Sequence, residues 1–137
     1  MKSVTRPWSE EDYPHQDVTR RIITAAIEVH KSLGPGFVES IYENAMLHQL
    51  EKAGLHVRQQ VVVPVLFDGV QVGEHRIDIL VAELIVVELK AASELAPVHY
   101  AQVKSTLKAA GLEIGLLINF NVRQLTDGGV KRIICSI

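Results

Sequence analysis

From Asp17 to Leu33 the apolar positions Val18, Ile22, Ala25, Ala26, Val29 and Leu33 follow the period of an amphipathic helix, with Asp17 as its N-cap. Gly34-Pro35-Gly36 stops that helix. A second stripe, formed by Ile41, Tyr42, Ala45, Met46 and Leu50, predicts a helix from about Val38 to Ala53, closed by Gly54. The pattern then turns from helical to strand-like. Val57 to Phe67 and Val70 to Val81 read as strands joined by Asp68-Gly69, a strong two-residue hairpin signal. Leu84 to Lys90 is a third strand, and Pro97 opens a helix that runs through Ala110 to Gly111. Glu113 to Phe120 and Val130 to Ile137 are two further strands, with Asp127-Gly128-Gly129 turning between them. The order is ααβββαββ, an α/β fold with a mixed central sheet flanked by helices. Residues 1–16 read as an irregular N-terminal arm and residues 17–137 as a single domain.

Composition narrows the class without naming a function. The 137 residues are 47% hydrophobic, which suits a globular chain with a real core. The longest apolar stretches, such as Val61 to Phe67, are far too short to span a bilayer. Met1 to Pro14 is polar and lacks the apolar core of a signal peptide. Cys135 stands alone, which excludes an intramolecular disulfide and points to a reducing cytoplasm. A net charge of −2 weighs mildly against a large nucleic-acid footprint. Lys104, Lys108, Arg123, Lys131 and Arg132 could supply local basic groups, although a solvated surface is their plainer reading. His48, His56, His75 and His99 show no paired zinc spacing, and no phosphate-cradling G-x-x-x-x-G-K-[ST] loop is present. His30 and Cys135 read as packing residues, while His99 and Tyr100 lie near enough to Gln102 in sequence to touch a substrate.

The candidate chemistry lies where charge interrupts two apolar strands. Glu88 and Lys90 end the run Leu84-Ile85-Val86-Val87, and residues two apart on a strand share a face. Asp78 sits in the preceding strand, Arg76-Ile77-Asp78-Ile79-Leu80-Val81. A hairpin centred near Glu83 pairs Val81 with Ile85, which sets Asp78 opposite Glu88 and Arg76 opposite Lys90. Two acids and a base then converge, the arrangement a divalent metal and an activated water require. From the residues alone, a structural ion pair explains Glu88 and Lys90 equally well, and the reading of Asp78 follows that of Glu88.

The acidic strand, the Glu-x-Lys strand and the helix after them resemble the PD-(D/E)xK nuclease-like superfamily, with its restriction-endonuclease-like core. Gly36-Phe37-Val38-Glu39-Ser40-Ile41-Tyr42 is similar to the G-x-x-E-x-x-Y signature of the small GxxExxY proteins, a subfamily placed there. The similarity extends through Ala26-Ile27-Glu28-Val29-His30, Arg76-Ile77-Asp78, Val87-Glu88-Leu89-Lys90 and Leu117-Ile118-Asn119-Phe120. It implies a metal-dependent nuclease acting on DNA ahead of RNA. The alternative is a catalytically silent module that keeps the fold for protein or nucleic-acid binding. Hydrolysis of another phosphoryl compound is a third reading.

The resemblance implies that Asp78, Glu88 and the Leu89 carbonyl hold Mg²⁺ or Mn²⁺, with Glu39 completing the site directly or through water. It makes Lys90 the residue that positions the attacking water and stabilises charge on the phosphate, and Gln102 a polar neighbour of that lysine. Glu39 also reads simply as an acid favoured at a helix start, and Tyr42 as a packing residue with a hydrogen-bonded hydroxyl. One departure stands out: related nucleases often carry a tyrosine four residues after the glutamine, and here that position is Thr106. The acids are expected at one edge of the sheet, near the second helix. A homodimer would supply the footprint that a small acidic chain lacks.

Overall fold

Alternation and helical period fold much as the pattern implies. The computed structural model describes residues 2–4 and 15–136. In chain order the elements are Lys2–Val4 (β1), Gln16–Leu33 (α1), Glu39–Lys52 (α2), Val57–Phe67 (β2), Val70–Val81 (β3), Ile85–Lys90 (β4), Pro97–Ala110 (α3), Ile114–Asn119 (β5) and Val130–Ser136 (β6). Lys2–Val4 lies within the expected irregular arm and instead pairs antiparallel with β6. The rest of the arm from residue 5 to residue 14 lies outside the described residues. His15, not Asp17, takes the N-cap position of α1. Asp17 therefore falls in the first turn, where a negative charge complements the helix dipole.

The strands form one sheet in the order β1-β6-β5-β4-β3-β2. Only β4 and β5 run parallel, so the sheet is mixed, with α3 connecting them. Two clusters cover its faces. Ile22, Ala26 and Val29 of α1 and Tyr42, Met46 and Leu50 of α2 pack on Ile79, Val87, Leu89, Leu116 and Ile118. Val103 and Leu107 of α3 pack on Leu80, Val86, Leu117, Ile133 and Cys135. The period of two sends Val87 and Leu89 to the first cluster and Val86 to the second. Every residue of β5 is buried, as suits a central strand covered on both faces. Gly115 in β5 makes room for α3, since a Cβ there would lie 2.8 Å from Val103 Cγ1.

The β3–β4 register is the one the hairpin reading requires: Val81↔Ile85, Leu80↔Val86 and Ile79↔Val87. Its connection holds Ala82 and Glu83 at φ values of 54° and 56°, unusual for non-glycine residues. The Ala82 N–H donates to His56 O and the Leu84 N–H to Val81 O, which fixes that turn. Asp68-Gly69 turns with both φ values positive, 52° and 74°, which matches the twist of the flanking strands.

Candidate functional site

The β3–β4 ladder ends at Ile79↔Val87, and Asp78 is the first residue beyond it. There a side chain takes over the backbone's role. The Leu89 N–H donates to Asp78 Oδ2 at 2.9 Å, and the Asp78 N–H donates to Glu88 Oε1 at 3.4 Å. The two carboxyl groups therefore meet where the strands part. β3 goes on paired with β2 alone. Opposite Asp78, the β2–β3 pairing skips Gln60, whose φ is 52°. The Gln60 amide donates to both oxygens of Glu43 on α2 at 3.0 Å, which ties this irregular strand segment to the helix.

Crowding two acids in a half-buried place has an electrostatic cost. Burial pushes the Glu88 carboxyl from its ordinary 4.5 up to about 9, and the Asp78 charge and a hydrogen bond shared with Asp78 push the same way. The Asp78 backbone amide and the Lys90 charge oppose this and do not overcome it. Without a cation, Glu88 thus holds its proton at neutral pH and shares it with Asp78.

Glu88 and Lys90 line one cavity of about 320 Å³ together with Arg76 and, from α3, His99 and Gln102. The site therefore faces α3. The expectation of a sheet edge near α2 is corrected by the strand order, in which β3 and β4 are interior, and by the cavity walls. Of Asp78, Glu88, Lys90, Gln102 and Glu39, the first four gather around the end of β4. Glu39 opens α2, is exposed, and lines a different cavity with Phe37, Ala91 and Asn121. The α2 acid bonded to the strand beside Asp78 is Glu43, one turn further on.

One contributor carries no functional signal in the sequence. His75 also lines the cavity, and its Nδ1 lies 2.9 Å from Thr106 Oγ1. The Thr106 hydroxyl donates to Gln102 O at 2.9 Å, so it accepts from His75 Nδ1–H, leaving Nε2 of a neutral ring as an acceptor. His99 is the converse. Its Nδ1 accepts from the Ala96 N–H at 3.0 Å, which leaves Nε2–H as a donor. Thr106, where related nucleases often carry a tyrosine, is buried and braces the cavity wall through these bonds. Tyr100, by contrast, lines another cavity with Lys131 and Arg132, and Arg123 lines a third, so the cations of the site are Arg76 and Lys90.

Two buried polar side chains position the site from behind. Asn119 accepts from the Ala92 and Asn121 N–H groups at 3.1 and 3.2 Å and donates to Ala92 O at 3.0 Å. With the Phe120 N–H donating to Lys90 O at 2.9 Å, this pins the chain leaving β4. Tyr42 is fully buried, stacks on Phe120 at 4.5 Å, donates to Gly34 O at 2.5 Å and accepts from the Phe37 N–H at 3.2 Å. It is a packing residue that fastens the loop before α2. His30, buried with Nε2 2.8 Å from Val122 O, and Cys135, buried under α3, are likewise structural.

Among the described residues, no three His, Cys, Asp or Glu side chains gather closely enough to hold a metal ion by themselves. The donor set nevertheless fits a small hard cation. Mg²⁺ is commonly held by one or two carboxylates and keeps several waters. Asp78 and Glu88 are such a pair, and their mutual repulsion is what a cation would relieve.

Residues 16–133 match the model of the PD-(D/E)XK nuclease superfamily. No curated protein gives a significant match. Among the described residues, no helix is long and apolar enough to cross a membrane.

Proposed function

Because the chain belongs to the PD-(D/E)XK nuclease superfamily, we propose that it is a metal-dependent nuclease that hydrolyses phosphodiester bonds, in DNA ahead of RNA. The observation that carries this is the meeting of Asp78 and Glu88 beyond the last β3–β4 pair, beside a cavity shared by Glu88, Lys90 and Gln102. Asp78, Glu88 and the Leu89 carbonyl would hold Mg²⁺ or Mn²⁺, without Glu39, which lines a separate cavity. When bound, the ion lowers the pKa of water and neutralises charge that builds on the phosphate. Lys90 orients the attacking water and stabilises the phosphate oxygens, and Gln102 holds the lysine's end of the cavity. Arg76 adds a second cation to the phosphate position, and His99 offers a neutral N–H donor.

Gly36, Glu39 and Tyr42 stand at the spacing of the GxxExxY proteins, and we place the chain in that group. Its free cysteine suits a reducing cytoplasm. One observation favours the second reading, a catalytically silent binding module: Glu39 lines a cavity apart from the acid pair. Cleavage of single- and double-stranded DNA and RNA by the wild type and by Lys90→Ala decides between them. Metal-dependent cleavage that is lost in the variant supports the nuclease. Equal cleavage by both proteins, or none by either, removes it.

A further inference from the structure

Past Asp78, β3 leaves β4 and runs on with β2 alone as a two-stranded ribbon laid against α3. Ile77 packs with Val103, and His75, two residues away on the same face, bonds to Thr106. The ribbon thereby brings a histidine to the cavity that Glu88, Lys90, His99 and Gln102 also line. At about 320 Å³ this cavity is at the small end of ligand sites, so a phosphate held at Lys90 lies close to every wall.

The two histidines are tied differently, and the difference decides what each can do. His99 Nδ1 accepts from the Ala96 N–H at 3.0 Å, so a second ring proton can be added only by breaking that bond. His75 Nδ1–H donates to Thr106 Oγ1 at 2.9 Å, and the hydroxyl passes its own proton contact on to Gln102 O. That arrangement is the same whether or not His75 Nε2 carries a proton. His75 is therefore the ring that can take up and give back a proton without disturbing the wall. Among the described residues, neither Nε2 is occupied by a hydrogen bond.

We propose that His75 is the general acid of phosphodiester hydrolysis at this site, the group that protonates the departing oxygen. The proposal rests on the nuclease reading and deepens it. Displacement at phosphorus places the leaving oxygen roughly in line with the attacking one, on the far side. The acid pair and Lys90 serve the attacking water from the parting of β3 and β4, while His75 stands on the ribbon wall against α3. As the water oxygen bonds to phosphorus, the bond to the leaving oxygen breaks, and its electron pair takes the Nε2 proton. His75 is reprotonated from solvent, to which the attacking water has released its own proton. The other ionisable groups lining the cavity have other places. Arg76 and Lys90 supply charge, Glu88 belongs to the acid pair, Glu74 is exposed on the strand face opposite His75, and His99 is tied as described.

His75→Asn sets an amide N–H near the Nδ1 position, which keeps the bond to Thr106 and removes Nε2. The full-length wild type and this variant are compared with Mg²⁺ on two oligonucleotides, one natural and one with sulfur at the bridging position that leaves. A thiolate departs without needing a proton. The variant should lose about a hundredfold in kcat on the natural substrate and stay within about threefold of the wild type on the sulfur one. In the metal-free wild type, ¹⁵N magnetic resonance of the neutral rings should place the proton on Nδ1 of His75 and on Nε2 of His99. Equal losses on both substrates would make His75 merely structural and overturn the proposal. Undiminished cleavage of the natural substrate by the variant overturns it too, as does a His75 ring with its proton on Nε2. In each of these cases a cleaving wild type leaves the nuclease reading standing. A wild type that cleaves neither substrate removes both.

Discussion

Replacing Glu88 by glutamine should make the metal-free protein more stable while removing its function. Glu88 must keep a proton in the folded chain up to about pH 9, whereas in the unfolded chain it gives it up near 4.5. Between those values the folded state binds the extra proton, so stability falls as pH rises through this window. Each pH unit costs about 1.4 kcal/mol, which places the penalty at pH 7 on the order of 3 kcal/mol. Glutamine does not titrate. Its amide can donate to Asp78 as the protonated Glu88 does, so the variant avoids the penalty and keeps the contact. Urea denaturation of both proteins at several pH values, with chelator present, reads the difference directly. The two should be alike below pH 4.5 and diverge in favour of Glu88→Gln up to about pH 9. Saturating Mg²⁺ should stabilise the wild type and not the variant. A variant less stable than the wild type at pH 7, or a difference that does not grow with pH, would refute this electrostatic reasoning.

Other consequences follow from the same geometry. Metal affinity should rise with pH towards about 9, and titration calorimetry in buffers of different ionisation enthalpy at pH 7 should show release of about one proton per ion. Tyr42→Phe removes the hydrogen bonds to Gly34 and Phe37 and keeps the stack on Phe120. It should cost about 1–2 kcal/mol in denaturant unfolding and leave kcat unchanged. Gly115→Ala drives a methyl into Val103 on the helix that carries Gln102. A loss of about 1–3 kcal/mol in unfolding, together with a lowered kcat, is expected. Asn119→Ala frees the segment after Lys90 and takes the side-chain partner from half-buried backbone groups of Ala92 and Asn121, so a loss of about 1–2 kcal/mol should accompany weaker cleavage.

The elements from α1 to β6 were legible because each is announced by period and punctuation. Asp68-Gly69 and Gly34 mark turns that the backbone makes there, and Val81↔Ile85 followed from strand lengths on either side of Glu83. That register is why the sequence alone pairs Asp78 with Glu88. What the pattern could not supply was side-chain reach between distant elements. Glu39, the acid that the resemblance singles out, is exposed at a helix start, whereas Glu43 ties α2 to the strand beside Asp78 through Gln60. The positive φ of Gln60 arises at an interrupted pairing, and no local residue preference foretells it. His75 and Thr106 are 31 residues apart and meet only because α3 lies across the ribbon. The face of the site was misplaced for a related reason. Alternation says that Glu88 and Lys90 share a face, yet only packing says that α3 covers it.

Manganese titration followed by electron paramagnetic resonance tests the acid pair most directly. The wild type should take up Mn²⁺ saturably, Mg²⁺ should compete for the same place, and Asp78→Asn should lose that uptake while keeping its fold. Absence of saturable binding in the wild type, or binding undiminished in Asp78→Asn, would contradict a divalent-cation site where β3 parts from β4.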